Sequence, residues 1–346
     1  MKYSTQLLSC ITAAVAASSP AFAQEAKTDP VGFITLGVAQ GNGGQQLSFK
    51  GLGLTQPVEY QGSAEAVGAN TLTDNDSAWT DDQFNGAAGA YYVEIVANAN
   101  GNGAGVGTTY DIADTNGPAT APVKTITLSQ NLGAGISNGA VFKVRKHWTI
   151  ASVFGATNQY GLAAGEEATA DHVRIFNGTG YDSYYYNNGW RKVGAGNADQ
   201  ANTKIMPDEG MIIARSAASP VNVVLLGAVK TGATSFPIFQ GLNIVSNPYA
   251  APLKLKDSGL YNPDPTKGVA GGTASTADEV LIYNGSTYDS YFYSTSGLAG
   301  TGWRKAGAGS ADQQNVEIPV GGAFLVVRQA GADFNWVSTP PYAGNL

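Results

Sequence analysis

The chain has 346 residues, with 19 basic and 26 acidic side chains, a formal net charge of −7, 45 glycines and 10% aromatic residues. A lightly charged, acidic surface excludes general nucleic-acid binding and electrostatic adhesion to anionic membranes. Few charged helix-forming runs, frequent aromatics and abundant glycine point to β-structure joined by tight turns.

The N-terminus reads as an address. Lys2, the apolar stretch Leu7 to Ala17 and the small-x-small site at Ala21-Phe-Ala23 predict a secretory signal peptide over residues 1–23. The apolar stretch is shorter than the roughly 20 residues a membrane-spanning helix needs. Leu7-Leu-Ser-Cys10 has the look of a lipoprotein box, but the apolar run continues past Cys10 and a better cleavage site follows. Cys10 is the only cysteine, so an exported chain without disulfides must be held by its core or by a metal.

Past a polar lead, Val31 to Leu36 is an apolar run of β type, followed by a Gly/Gln-rich turn, Leu47-Ser-Phe49 and Gly51 to Leu54. Val223 to Gly227 resembles the first run, and Phe239 to Ile244 resembles Phe49 to Leu54, so the second half is expected to open as the first does. The closing parts match better. Ala170 to Ile175 parallels Ala277 to Ile282, Asn177 to Tyr186 parallels Asn284 to Tyr293, Trp190 to Gln200 parallels Trp303 to Gln313, and Gly210 to Arg215 parallels Gly322 to Arg328. Two copies of one unit predict a duplicated domain rather than an open solenoid, which needs three or more repeats. Asn177-Gly178 and Asn284-Gly285 predict positive φ angles in tight hairpins. Tyr184 and Tyr186 fall on one strand face and Tyr185 on the other. Each copy therefore reads as an antiparallel meander ending in a buried strand, Met211 to Ala214 or Phe324 to Val327. Extra material between the parts of the first copy contains strand patterns at Tyr91 to Ala97, Tyr110 to Ile112, Val123 to Leu128 and Ala140 to Val144, consistent with a small β-barrel or sandwich. Helix is limited to a turn or two near Ala163 to Thr169. The expected fold class is all-β: duplicated antiparallel sheet modules with a small inserted β-domain. The expected boundaries are a first copy at 24–65 and 147–218, an insert at 66–146 and a second copy at 219–346.

Gly241-Leu-Asn-Ile-Val-Ser-Asn-Pro248, Asp278 to Gly285, Tyr288, Tyr291 to Tyr293, Gly302-Trp303 and the late apolar strand resemble a module of exported bacterial proteins. With Lys146-His147-Trp148 and Val153-Phe-Gly155, the whole chain resembles a family of exported bacterial β-rich proteins in which two such modules flank an insert. Through Thr71 to Asp74, Ala78-Trp79-Thr80, Gln83-Phe84, Gly86 and Tyr110-Asp-Ile112, the insert is similar to a β-module of phage tail proteins and bacterial adhesins. The first copy departs from the pattern, with Gly53 in place of Asn243 and Gln56-Pro57 in place of Asn247-Pro248. The resemblance implies an all-β fold and no particular chemistry.

Gly135-Ile-Ser137-Asn-Gly139 has the G-x-S-x-G pattern of a nucleophile elbow, but no helix pattern follows, so a turn is expected. The only histidines, His147 and His172, are too few for a zinc site without carboxylates, and structural roles are expected. Asp74, Asp76, Asp81 and Asp82 form the densest acidic cluster and are the candidates for calcium, although their spacing is not that of an EF-hand. Glu166-Glu167 and Asp208-Glu209 are the candidate carboxylates for glycoside hydrolysis. The glycine stretch Gly101 to Gly107 lacks dinucleotide-binding spacing and reads as a hairpin loop. The most informative residues are two aromatic sets: Tyr181, Tyr184, Tyr186 and Trp190, and Tyr288, Tyr291, Tyr293 and Trp303. Exposed, they would stack on sugar rings or form a partner surface; buried, they would stabilise the sheet by cross-strand packing. The expectation is an exported protein of the periplasm, outer surface or medium, structural or adhesive, with no cofactor other than calcium. Its partners would be envelope or surface proteins, an extracellular glycan, or further copies of itself. The alternative is a polysaccharide-active enzyme or its carbohydrate-binding accessory.

Overall fold

A computed structural model describes residues 29–86, 90–99, 103–116, 124–295, 300–329 and 331–345. The expected signal peptide and Cys10 lie outside these residues.

The chain opens with β1 (Val31–Val38) and β2 (Gln46–Lys50). The insert follows: β3 (Val58–Ser63), β4 (Ala66–Val67), β5 (Thr71–Thr73), β6 (Tyr91–Ala97), β7 (Thr109–Asn116), β8 (Thr125–Leu128) and β9 (Val141–Lys146). Then come β10 (Trp148–Thr149), α1 (Ile150–Phe154), β11 (His172–Phe176), β12 (Tyr181–Tyr186), β13 (Trp190–Lys192), β14 (Lys204–Ile205), β15 (Met211–Arg215) and β16 (Val221–Ala228). The remainder is β17 (Thr234–Ile238), β18 (Gly241–Ser246), β19 (Leu253–Lys254), β20 (Glu279–Tyr283), β21 (Tyr288–Ser294), β22 (Gly302–Lys305), β23 (Glu317–Ile318), β24 (Ala323–Arg328) and β25 (Phe334–Ser338).

The fold is all-β. One five-stranded antiparallel sheet runs β13-β12-β11-β15-β2, and a second runs β22-β21-β20-β24-β18. Each is accompanied by a two-stranded ribbon, β1 with β16 and β17 with β25. The insert is a seven-stranded sheet ordered β3-β9-β6-β7-β8-β5-β4.

Two boundaries and one strand register differ from expectation. The run Val223 to Gly227 is not the second copy's opening strand. It lies in β16, pairs with β1 from Val31↔Ala228 to Val38↔Val221, and sends Val221, Val223 and Leu225 into the first core. The expected start of the second copy at 219 therefore falls inside the first; β17 is the counterpart of β1. Its next strand is also offset from the expected match. Gly241 faces Arg328 and Gln46 faces Arg215, so Gly241 corresponds to Gln46 and Asn243 to Ser48 rather than Gly53. Function follows this register, since the Ser48 hydroxyl accepts from Ala39 N–H at 3.0 Å as the Asn243 amide oxygen accepts from Phe239 N–H at 2.9 Å. The insert starts at β3, not at 66, because Val58 to Ser63 pairs with β9.

Each sheet is buried on both sides at its centre. The inner face of the first carries Val173, Ile175, Tyr184, Trp190, Met211 and Ile213 against the β1–β16 ribbon and α1. On the opposite face, Phe49 and Ile212 meet Ile244, Ala323 and Leu325 of the second sheet. This explains why β15 and β24 are near-continuous apolar runs, since neither side of either strand faces water. Helix occurs where none was expected: Thr149 caps α1 through a reciprocal box with Ser152, whereas Ala163 to Thr169 forms only turns. At the hairpins only the glycines, Gly178 and Gly285, take positive φ. Asn177 and Asn284 instead accept two backbone N–H groups each on their amide oxygens.

Candidate functional site

The aromatic sets divide into three environments. Tyr184, Trp190, Tyr291 and Trp303 are buried, at 1–6% exposure, in the cores of their sheets. Strand alternation puts Tyr186 and Tyr293 on the same faces as these rings, half-buried, where each meets its tryptophan edge-on at 5.6 and 5.7 Å. Tyr181 and Tyr288 are exposed, at 38% and 39%. Both stand along the crease between the two sheets, where Phe49 contacts Tyr283 at 5.1 Å and Tyr288 at 5.6 Å, and Phe176 contacts Tyr181 at 5.6 Å. Gln46 ties the crease by donating to the Tyr283 hydroxyl at 3.0 Å and to Gly285 C=O at 2.7 Å. Most of the predicted ligand-binding rings thus hold the sheets together.

The exception is at Tyr293. A cleft of about 210 Å³ opens on the second copy, lined by Leu255, Lys256, Gly259, Tyr261, Tyr293, Gly302, Trp303 and Gln314. Tyr261 and Tyr293 stack face to face, centroids 3.3 Å apart and planes 7° from parallel, with Trp303 perpendicular to Tyr293. Leu255 and Lys256 come from a short 3₁₀ turn after β19, and Gln314 from the loop before β23. Tyr261, Lys256 and Gln314 were not identified in the sequence; Lys256 and Tyr261 lie well before the aromatic segment that marked the site, and Gln314 lies just past the repeated Trp303 to Gln313 stretch.

Charges elsewhere are mostly spoken for. In the aromatic segments Lys192 donates to Asp182 at 2.6 Å and Lys305 to Asp289 at 2.9 Å. The lysine hydrogen bonds hold both carboxyls below the usual carboxylate range. Two buried pairs repeat in the same way. Arg215 donates to Asp171, and Arg328 donates to Asp278 at 2.5 Å, all four side chains being at most 3% exposed. Each aspartate also accepts two backbone N–H groups: Ala163 and Ser216, or Ala270 and Gln329. The repeated Ala-Asp and terminal Arg were visible in the sequence, but nothing local says that they meet.

A second buried network joins the insert to both ends of the first copy. Glu94 accepts from Lys230 at 2.6 Å and from Arg145 at 3.2 Å, and Asp29 accepts from Lys143 at 2.7 Å and Arg145 at 2.5 Å. Burial alone would raise the Glu94 carboxyl; the charges of Lys230 and Arg145 instead hold it below its ordinary value. His147 belongs to a third link, with Nε2 2.8 Å from Asp111, which Lys204 also contacts. Burial would raise Asp111, but its bonds to His147 and Lys204 lower it. His172 faces Glu167 C=O at 2.8 Å and stacks on Tyr185.

The remaining candidates do not form sites. Ser137 donates to Asn98 at 2.8 Å in a turn bracketed by the positive-φ Gly135 and Gly139. The four aspartates proposed for calcium do not converge. Asp74 is buried and accepts from the Tyr60 hydroxyl at 2.5 Å, while Asp82 accepts from Asn85 at 2.6 Å. Among the described residues no group of three or more His, Cys, Asp or Glu is placed to hold a metal ion. Glu166 accepts from Asn187 at 3.1 Å on the surface, whereas Asp208 and Glu209 are drawn into the junction of the two sheets. Of the Gly101 to Gly107 loop, only part lies within the described residues.

In comparisons with family models, curated proteins and solved structures, none matches this chain.

Proposed function

We propose that the protein is an exported, non-catalytic contact protein of the cell envelope or outer surface, acting on proteins or glycans by binding. The observation that carries this reading is the second-copy cleft, whose walls offer ring faces, an amide and an ammonium but, among the described residues, no carboxylate. Glycoside hydrolysis needs two carboxyl groups about 5–9.5 Å apart across the scissile bond. The export component rests on the signal-peptide pattern of residues 1–23. The resemblance to exported two-module proteins accords with two sheets of the same strand order. The deciding experiment incubates purified protein with a panel of envelope glycans and measures retention and reducing-end release together. Retention without release is expected. Release that Tyr293→Ala abolishes would replace this reading with the polysaccharide-active enzyme.

A second reading, self-association, is favoured by the outer face of the β1–β16 ribbon. Val31, Phe33 and Leu226 are 72–74% exposed there, with Phe33 directly opposite Leu226. The sister ribbon pairs Pro237 with Asn335 instead. An apolar strand face of this kind is self-complementary about a twofold axis. Sedimentation of wild type against Phe33→Ser tests it; an unchanged monomer in both removes it.

A further inference from the structure

The two copies differ chemically at the cleft. In the first copy Ile150 N–H donates to Thr203 C=O at 3.0 Å and Ala151 N–H to Ala201 C=O at 2.9 Å. In the second, Leu255 N–H donates to Val316 C=O and Lys256 N–H to Gln314 C=O, both at 3.0 Å. These matched bonds put Lys256 where the first copy has Ala151, and Gln314 where it has Ala201. The two alanines pack against the first hydrophobic core, while Lys256 and Gln314 are exposed on the cleft wall.

The tryptophans diverge at the same place. The Trp190 indole N–H donates to Gly155 C=O at 2.9 Å, and its ring packs 5.8 Å from Phe154 of α1. Trp303 stands on the cleft wall, and among the described residues its indole N–H has no acceptor. The second copy has a three-residue 3₁₀ turn, Leu255–Asp257, where the first has α1, and so lacks a counterpart of the Phe154 plug. Lys256 makes no ion pair among the described residues, although its basic neighbours do: Lys254 faces Glu317 at 3.9 Å and Arg304 faces Asp312 at 3.6 Å.

We propose that this cleft binds a single pyranose ring bearing a negative group, a carboxylate or a sulfate. The sugar's C–H face lies against the Tyr261–Tyr293 wall, its anion meets the Lys256 ammonium, and its hydroxyls meet the Gln314 amide and the Trp303 N–H. This rests on the contact-protein reading and names its ligand. Size limits the ligand to one ring, because about 210 Å³ is below the roughly 300 Å³ at which pockets for larger ligands begin. Charge sets the preference, since a hydrogen bond from ammonium to an anion is about twice as strong as a neutral one. The first copy, closed by Phe154 and lined by Ala151 and Ala201, does not bind.

The test is NMR titration of the full chain with methyl glucuronide, glucose 6-sulfate and methyl glucoside. The two anionic probes are expected to shift backbone signals of Lys256, Tyr261, Trp303 and Gln314 saturably, with the neutral glucoside at least about tenfold weaker. The stronger of the two anions identifies carboxylate or sulfate as the recognised group. Lys256→Ala is expected to reduce anionic binding to the level of the neutral sugar without changing the melting temperature, because Lys256 is exposed. Trp303→Phe keeps the ring and is expected to weaken all three probes. Equal binding of neutral and anionic sugars, or undiminished glucuronide binding by Lys256→Ala, overturns the inference and leaves the contact function standing. Shifts confined to other surfaces, or no shift with any probe, also overturn it, and the glycan-panel result then decides the broader reading separately.

Discussion

Removing Asp278 leaves Arg328 as an uncompensated cation at the centre of the second copy. Arg328 is 1% exposed on its side chain, its other hydrogen bonds go to the neutral carbonyls of Gly268, Pro265 and Ala332, and its guanidinium lies 5.1 Å from the centroid of the uncharged Phe334 ring. Breaking a buried pair from one side costs about 3–5 kcal/mol. Asp278→Ala also strips acceptors from Ala270 and Gln329 N–H, and each orphaned buried group costs about 1–3 kcal/mol. These effects overlap because one carboxylate serves all three donors, so a destabilisation of about 4–5 kcal/mol is expected. That is a large share of the roughly 5–15 kcal/mol available to a domain. Asp278→Asn keeps an oxygen for a backbone donor and should cost less. Asp278→Leu combined with Arg328→Met should recover most of the loss, because neither charge then remains buried. Urea unfolding measures the totals, and hydrogen exchange along β24 and β15 assigns the damage to one copy. A cost below about 1 kcal/mol for Asp278→Ala, or a double variant no more stable than the single, would refute the reasoning.

Glu209 has an ordinary pKa of 4.5 that burial pushes up to about 7. Because the folded value lies above the unfolded one, its stabilising effect is complete below about pH 4.5 and is lost as pH rises to about 7. The loss is at most about 3 kcal/mol, and urea midpoints of Glu209→Gln should lack this slope. Glu94 behaves oppositely: its folded pKa is depressed, so its contribution is present above pH 4.5 and disappears as acid takes pH through the lower folded value. Lys230→Met should weaken the native chain by about 3–5 kcal/mol at pH 7, and less in acid where Glu94 is neutral, as read from urea curves at the two pH values. Calcium and a chelator should give the same melting temperature, since Asp74 and Asp82 are already satisfied by Tyr60 and Asn85; a calcium-dependent rise would show that the loop rearranges. Ala151→Lys with Ala201→Gln should leave the stoichiometry of sugar binding at one, because Phe154 and the bonded Trp190 still close the first copy. A second site in that variant, seen by calorimetry, would show that Phe154 is no plug.

The sequence carried those parts of the fold that depend on near neighbours. Tyr184 and Tyr186 share a face because strand side chains alternate, and Asn177 and Asn284 mark turns because their amides satisfy the adjacent backbone. What failed depends on distant partners. Val221 to Ala228 has the same alternation as β1, and nothing in its own residues says whether it opens one copy or closes the other; that is decided by its pairing with Val31 to Val38. The β2 register was misplaced because the turn between β1 and β2 is longer than that between β17 and β18, so a match on glycines pointed to Gly51 when the ladder uses Gln46. The cleft was half legible. Tyr293 and Trp303 stood out as repeated rings, but Lys256 and Gln314 are distinguished only by facing one another across a backbone hydrogen bond.

What the two copies share and what they do not are informative for different reasons. The Asp171–Arg215 and Asp278–Arg328 pairs, the Asp182–Lys192 and Asp289–Lys305 pairs and the edge-on Tyr–Trp contacts occur in both, and each bridges strands of its own sheet or ties a strand to the loop beside it. They meet a need that any copy has, which is to hold a sheet without disulfides. The Ala151/Lys256 and Ala201/Gln314 differences meet no such need. Replacing two packed alanines by a lysine and a glutamine removes apolar burial and adds groups whose side chains no other described residue bonds. On stability alone the first copy has the better arrangement, since it buries more apolar surface at these positions and bonds its indole N–H within the fold. A polar, ring-walled opening in one copy is therefore better explained by something outside the chain that occupies it than by the requirements of folding.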